Sequence, residues 1–209
     1  GAATTFAFLE TAPTSQSLRE AAKGVGGPAI RHKATLGGNL VAARFDGDGC
    51  VAVLAMPTIV EVASLERGTR QVQIDEFFKE KEGLTSLLPD ELLTRIIIPA
   101  NWRTGWYEIG KREGASHSII CCAIGISPQG DVRIALGGAG PSVCRSKAAE
   151  DQIKRDGLNP AAIATAAQAV ITEVSPESNL HASANYRRAM CGVMVKRVLN
   201  ELLDRRPSK

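Results

Sequence analysis

The chain has 209 residues, 44% of them apolar and 22% charged, with a net charge of +3. This composition suits one large domain or two small ones and argues against disorder. So small a charge, on basic residues scattered except for Arg205, Arg206 and Lys209 at the end, gives no footprint for nucleic acid.

Thr14 or Ser15 can cap a helix running to about Val25, with Leu18, Ala21, Ala22 and Val25 on one face. Gly24, Gly26, Gly27 and Pro28 end it. Residues 30–43 follow, holding Thr35-Leu36-Gly37-Gly38-Asn39. Asp46-Gly47-Asp48-Gly49 precedes the apolar run 50–56, which reads as a short buried helix capped by an acidic residue. Residues 58–63 alternate as a strand, and a turn at Arg67-Gly68 leads to a second strand over 70–74. The segment 74–78 then runs from strand into a helical turn. Residues 92–98 are strongly β-branched and stop at Pro99.

Beyond residues 100–104 the pattern changes. Residues 106–111, 118–126 and 132–136 read as three strands, the last two joined by a Pro128-Gln129-Gly130-Asp131 turn. Helices follow over 146–154, 160–174 and 184–203. The expectation is an α+β chain. Its mixed α/β first part is residues 1–102, and its second part, 103–209, is a three-stranded antiparallel sheet with a helix bundle.

Five cysteines form no CxxC pair, and only His32, His117 and His181 could complement them, so no metal site is expected. Most lie in apolar runs, as small buried hydrophobes of a reducing, cytoplasmic compartment. Cys121 and Cys122 should point to opposite faces of their strand. No run approaches about 18 apolar residues, so no membrane span is expected. The opening Gly1-Ala2-Ala3-Thr4-Thr5 lacks the features of a signal peptide and reads as an internal start.

Two consecutive glycines at 37 and 38 allow positive φ and remove side chains, so that backbone N–H groups can converge on an anion. Thr35 and Asn39 flank them with polar donors. A tight turn joining two elements is the competing explanation. Asp46 and Asp48 suit a helix cap or a ribose or ring contact, and no acidic residue follows at EF-hand spacing. Gly137-Gly138 suits a strand-to-helix turn. No G-x-S-x-G elbow, H-E-x-x-H pair or Walker loop occurs, and no catalytic residue is assigned. Any hard chemistry therefore belongs to a cofactor.

Four stretches in order carry a resemblance: Ile30-Arg31-His32-Lys33-Ala34-Thr35-Leu36-Gly37-Gly38-Asn39-Leu40, Glu91 through Pro99, Val132 through Gly138, and Ser183-Ala184-Asn185-Tyr186-Arg187-Arg188. Together they resemble the FAD-binding subunit of the molybdopterin hydroxylases, the xanthine dehydrogenase and aerobic carbon monoxide dehydrogenase type. The resemblance implies that Thr35, Gly37, Gly38 and Asn39 contribute to the FAD diphosphate site, and that Asp48 and Leu93 contact the cofactor. It implies a large molybdopterin-binding partner and a small iron–sulfur partner, with electrons passing through FAD to NAD⁺ or another acceptor. The family's first subdomain, with its A-G-G-[TS]-x-[LI] loop, is expected to be missing, because the chain opens on the segment that normally follows it. Where many relatives carry Lys near the flavin ring, Glu108 aligns. A flavin-free module that scaffolds such a complex is the alternative reading.

Overall fold

In the computed structural model, which describes residues 1–79, 83–110 and 118–205, sixteen elements follow in order. These are α1 (Phe6–Leu9), α2 (Gln16–Gly24), α3 (Pro28–Arg31), α4 (Leu36–Ala42), α5 (Asp48–Leu54), β1 (Ile59–Ser64), β2 (Gly68–Gln73), α6 (Ile74–Phe77) and β3 (Leu92–Ile97). Then come β4 (Arg103–Gly110), β5 (Ser118–Ile126), β6 (Val132–Gly137), β7 (Cys144–Arg145), α7 (Lys147–Asp156), α8 (Pro160–Glu173) and α9 (Ala184–Asp204). The α+β expectation holds. Lys111, at the end of the expected strand 106–111, His117, and the tail residues Arg206 and Lys209 lie outside the described residues.

Two antiparallel sheets form, ordered β2-β1-β3 and β4-β5-β6-β7. The second has a fourth strand where the sequence led us to expect three. β7 is only two residues long, so it carries no alternation to read. It pairs through Ala135↔Arg145 and Leu136↔Cys144. Arg145 is held there by Glu150 on α7, at 2.7 Å from its Nε, and by Asp75 on α6, at 2.8 Å from its Nη1. Arg133 on β6 also pairs with Asp75, so one ion cluster ties α6, β6, β7 and α7.

β5 is buried along its whole length, and its two faces differ in size. Ile120, Cys122, Ile124 and Ile126 face a core built with α7, α8 and α9, containing Ile153, Ile163, Val170, Val195 and Leu199. Cys121 and Ala123 face the other core, which contains α5 and the first sheet. The two adjacent cysteines thus sit in separate cores, as strand geometry requires. Small residues on the second face let α5 approach closely. A Cβ on Gly125 would stand 2.1 Å from the Ala55 carbonyl oxygen, and one on Gly137 would stand 2.8 Å from a Val51 methyl. Every residue of α5 is buried.

Arg187, within the Ser183–Arg188 motif, is fully buried. It donates to the carbonyls of Ile119 and Gly138 and, at 3.0 Å, to Asn179 Oδ1, and it stacks on Phe45. It fastens α9 to the ends of β5 and β6. Among the described residues no helix is long and apolar enough to cross a membrane.

Gly125→Ala should therefore cost about 2–3 kcal/mol, because the obstruction is a backbone carbonyl that cannot rotate away. Gly140→Ala, whose nearest neighbour would lie 3.9 Å off, should change stability by less than about 0.5 kcal/mol. Urea unfolding of both variants measures the difference.

Candidate functional site

The expected site begins at α4. A helix interior disfavours glycine by about 1 kcal/mol relative to alanine, so two in its first turn need a reason. Neither glycine has positive φ, and the expected turn is in fact the first turn of a helix. Thr35 caps it, its Oγ1 accepting from Gly38 N at 3.1 Å. The capping hydroxyl and the helical hydrogen bonds that follow suffice to fold this segment as helix, which the glycine pattern obscured.

Gly37 is buried and required by packing. The chain crosses it at Ala2, and a Cβ there would stand 2.7 Å from the Ala2 carbonyl oxygen. That carbonyl accepts from Gly37 N at 2.9 Å, while Leu36 N donates to Thr4 O at 2.9 Å. Ala2 N in turn donates to Thr94 O on β3, so the opening segment bridges α4 and the first sheet. Gly38 is different. It is exposed, and a Cβ there would meet only its own capping hydroxyl. Nothing in the fold requires a glycine at that position.

Asn39 joins α4 to α5. The N-cap of α5 is Gly47, which has no side chain to offer, so the expected acidic cap is absent. Asn39 Oδ1 accepts instead from Cys50 N at 3.1 Å. Gly49 leaves room for it, since a Cβ there would lie 2.6 Å from that oxygen. The Asn39 amide nitrogen has two further N–H groups, and the Thr35 hydroxyl its proton, as donors beyond these two caps.

Thr35, Gly37, Gly38 and Asn39 are thus together on one turn. Leu93 and Asp48 lie on other elements. Leu93 lies in β3, opposite Val62 and buried in the first core. Asp48 opens α5, but its carboxyl is buried and directed at β5, where Ser118 and Cys121 lie beside it. Burial above all, and then the nearby Glu108, raise its pKa to about 7. Asp46 adds to the shift, although it is itself paired with Arg44 at 2.9 Å and 3.0 Å. Glu108, on β4, is also raised, chiefly by burial, with Trp106 and Ser118 opposing. Sequence reading placed Glu108 near a ring site but gave no sign that it meets Asp48, which is sixty residues earlier. Among the described residues no group of three or more His, Cys, Asp or Glu could hold a metal.

Removing the shared cap tests this geometry without any ligand. Asn39→Ala should cost about 1–2 kcal/mol of folding stability, since Cys50 N–H is left without its acceptor. Asn39→Asp retains an acceptor and should cost much less. Thermal unfolding of the two variants gives the comparison.

Comparison with known proteins extends over both halves. Residues 1–101 match the FAD binding domain in molybdopterin dehydrogenase, and residues 105–202 match the CO dehydrogenase flavoprotein C-terminal domain. The nicotine 6-hydroxylase medium subunit of Paenarthrobacter nicotinovorans is 32% identical over 190 residues, 88% of this chain and 66% of that one. The 6-hydroxypseudooxynicotine dehydrogenase complex subunit alpha of the same organism is 32% identical, over 100% of this chain and 74% of its own length. A putative xanthine dehydrogenase FAD-binding subunit of Escherichia coli K12 is 30% identical, over 96% and 72%. The chain therefore spans about two thirds to three quarters of the length of these relatives. Among solved structures, a carbon monoxide dehydrogenase from Hydrogenophaga pseudoflava superposes with a TM-score of 0.90 at 28% identity, covering 99% of this chain and 75% of that one.

Proposed function

Because this chain belongs to the family of FAD-binding subunits of molybdopterin dehydrogenases, we propose that the first turn of α4 holds the diphosphate of FAD and that the chain passes electrons through that flavin. Gly38 is the observation that carries this reading. It sits in a helix at a conformational cost, faces solvent, and packs against nothing but its own cap. A bare backbone patch of this kind lets a bulky anion approach closely. The neighbouring groups suit the anion: the Thr35 hydroxyl and the side-chain N–H groups of Asn39 are donors, and hydrogen bonds to a charged acceptor are the stronger class. Gly37 contributes by admitting the Ala2 segment, which braces the turn from behind. By the family likeness, Leu93 in β3 and Asp48 in α5 contact the cofactor as well.

FAD, when bound, supplies the redox chemistry, and the residues of the chain bind and orient it. Relatives are named as medium subunits or as subunits of complexes. By that likeness we place this chain beside a large molybdopterin-binding subunit and a small iron–sulfur subunit, with NAD⁺ or another acceptor receiving the electrons. The same reading divides the chain into 1–102 and 103–209, one sheet falling in each part.

Titration of the purified full protein with FAD, followed by flavin fluorescence, tests the site. Gly38→Val should weaken binding about 100-fold or more, by obstructing the diphosphate. Asn39→Asp should weaken it roughly 10- to 100-fold, because it swaps donors for a carboxylate while keeping the α5 cap. Unchanged affinity in both variants, or no flavin binding by the wild-type protein in its complex, would reject the reading.

A further inference from the structure

Two carboxyl oxygens buried without a hydrogen-bond partner belong to neighbouring residues where α2, α5, β4 and β5 meet, Asp48 Oδ1 and Glu108 Oε2, with Trp106 and Ser118 beside the Glu108 carboxyl. Buried polar atoms are nearly always paired, so two bare carboxyl oxygens around one spot require an explanation. The Glu108 carboxyl packs directly on the last residue of α2, and a Cβ on Gly24 would stand 2.5 Å from its oxygen. That is the carbonyl end of the helix, where a negative charge is disfavoured. Asp48 lies against Ser118 and Cys121 on the neighbouring strand, and Ser118 lies beside both carboxyls.

The charges that bear on the pair are acidic: Glu20 on α2 acts on Glu108, and Asp46 acts on Asp48. Hydrogen bonds from Ser118 and Cys121 oppose them at Asp48 without outweighing burial. Among the described residues, Arg44 and Arg187 act on Asp46, and Lys23 pairs with Glu20 at 2.9 Å. Two carboxyls in one buried site cannot both ionise cheaply, and their protons come off as a property of the pair.

We propose that Asp48 and Glu108 form an electrostatically coupled carboxyl pair that takes up or releases one proton as the charge on the adjoining cofactor site changes. Asp48 reaches that site through its own helix, because the first turn of α5 is held by Asn39 on the α4 turn. The coupling rests on the flavin reading given above. As electrons from an iron–sulfur donor build negative charge on the cofactor, the pair draws one proton from solvent. One O–H bond forms, and the charge on the pair goes from minus one to zero. Nothing in the pair is oxidised or reduced.

Two measurements on the full protein decide the matter. The first is thermal stability against pH, which needs no cofactor. A carboxyl whose pKa is raised on folding contributes stability that is present at low pH and is lost as pH rises through its folded value, here about 7 for Asp48. The wild-type melting temperature should fall across that range. Asp48→Asn should flatten the profile, and Glu108→Gln should move its step to lower pH by removing the like charge. An unaltered profile in both variants overturns the pair. The second is proton uptake on dithionite reduction of the FAD-loaded protein, read with a pH indicator. The wild type should take up about one more proton per flavin than Asp48→Asn. Equal uptake overturns the coupling even where the stability profile supports the pair. If no flavin binds, the coupling falls together with the proposed function, and the stability profile alone then upholds or overturns the pair.

Discussion

The burial of β5 on both faces is the constraint on which the rest of the molecule depends. A strand in the middle of a sheet must satisfy two cores at once, and this one does so by dividing its residues by size. The isoleucines support the α7–α9 bundle, while Cys121, Ala123 and Gly125 leave a shallow face on which α5 lies. Each large apolar side chain buried this way contributes about 1.5–3 kcal/mol. The position of α5 follows from that shallow face, and the start of α5 in turn sets where Asn39 and the α4 turn can stand.

Two helix starts, those of α5 and α7, are completed across the fold rather than along the chain. α5 has a glycine at its N-cap and draws its acceptor from Asn39. α7 begins at Ser146, whose side chain makes no cap bond. Glu173, at the end of α8, accepts from Lys147 N at 3.1 Å and from the Ser146 hydroxyl. Both arrangements satisfy donors that would otherwise be orphaned. They also make the surface turn at α4 a structural joint as well as a ligand surface. One side chain, Asn39, has its oxygen committed to the start of α5.

The electrostatics follow a related division. At the seam of α6, β6, β7 and α7, Asp75, Arg133, Arg145 and Glu150 alternate in sign and neutralise one another. Where α2, α5, β4 and β5 meet, acid faces acid without a cation among the described residues that bear on the pair. The first cluster is what a fold uses to fasten elements. The second raises carboxyl pKa values and leaves polar atoms unpaired, which is tolerated where a proton can move.

Much of this was legible in the chain itself. The Pro128-Gln129-Gly130-Asp131 turn separated β5 from β6, and Pro160 marked the start of α8. The Thr35–Asn39 run singled out the candidate site. These signals are local: periodicity, turn chemistry and capping act within a few residues, so they survive in a linear sequence. The role of each glycine did not. Gly37 is fixed by the crossing of Ala2, and Gly38 is left open by the lack of any neighbour, although the two are adjacent and identical. The two-residue β7, the cap that Asn39 lends to α5, and the meeting of Asp48 with Glu108 were likewise decided by tertiary structure. Each depends on contacts between residues beyond the few-residue reach of those local signals, and only packing brings such residues within hydrogen-bonding or electrostatic range.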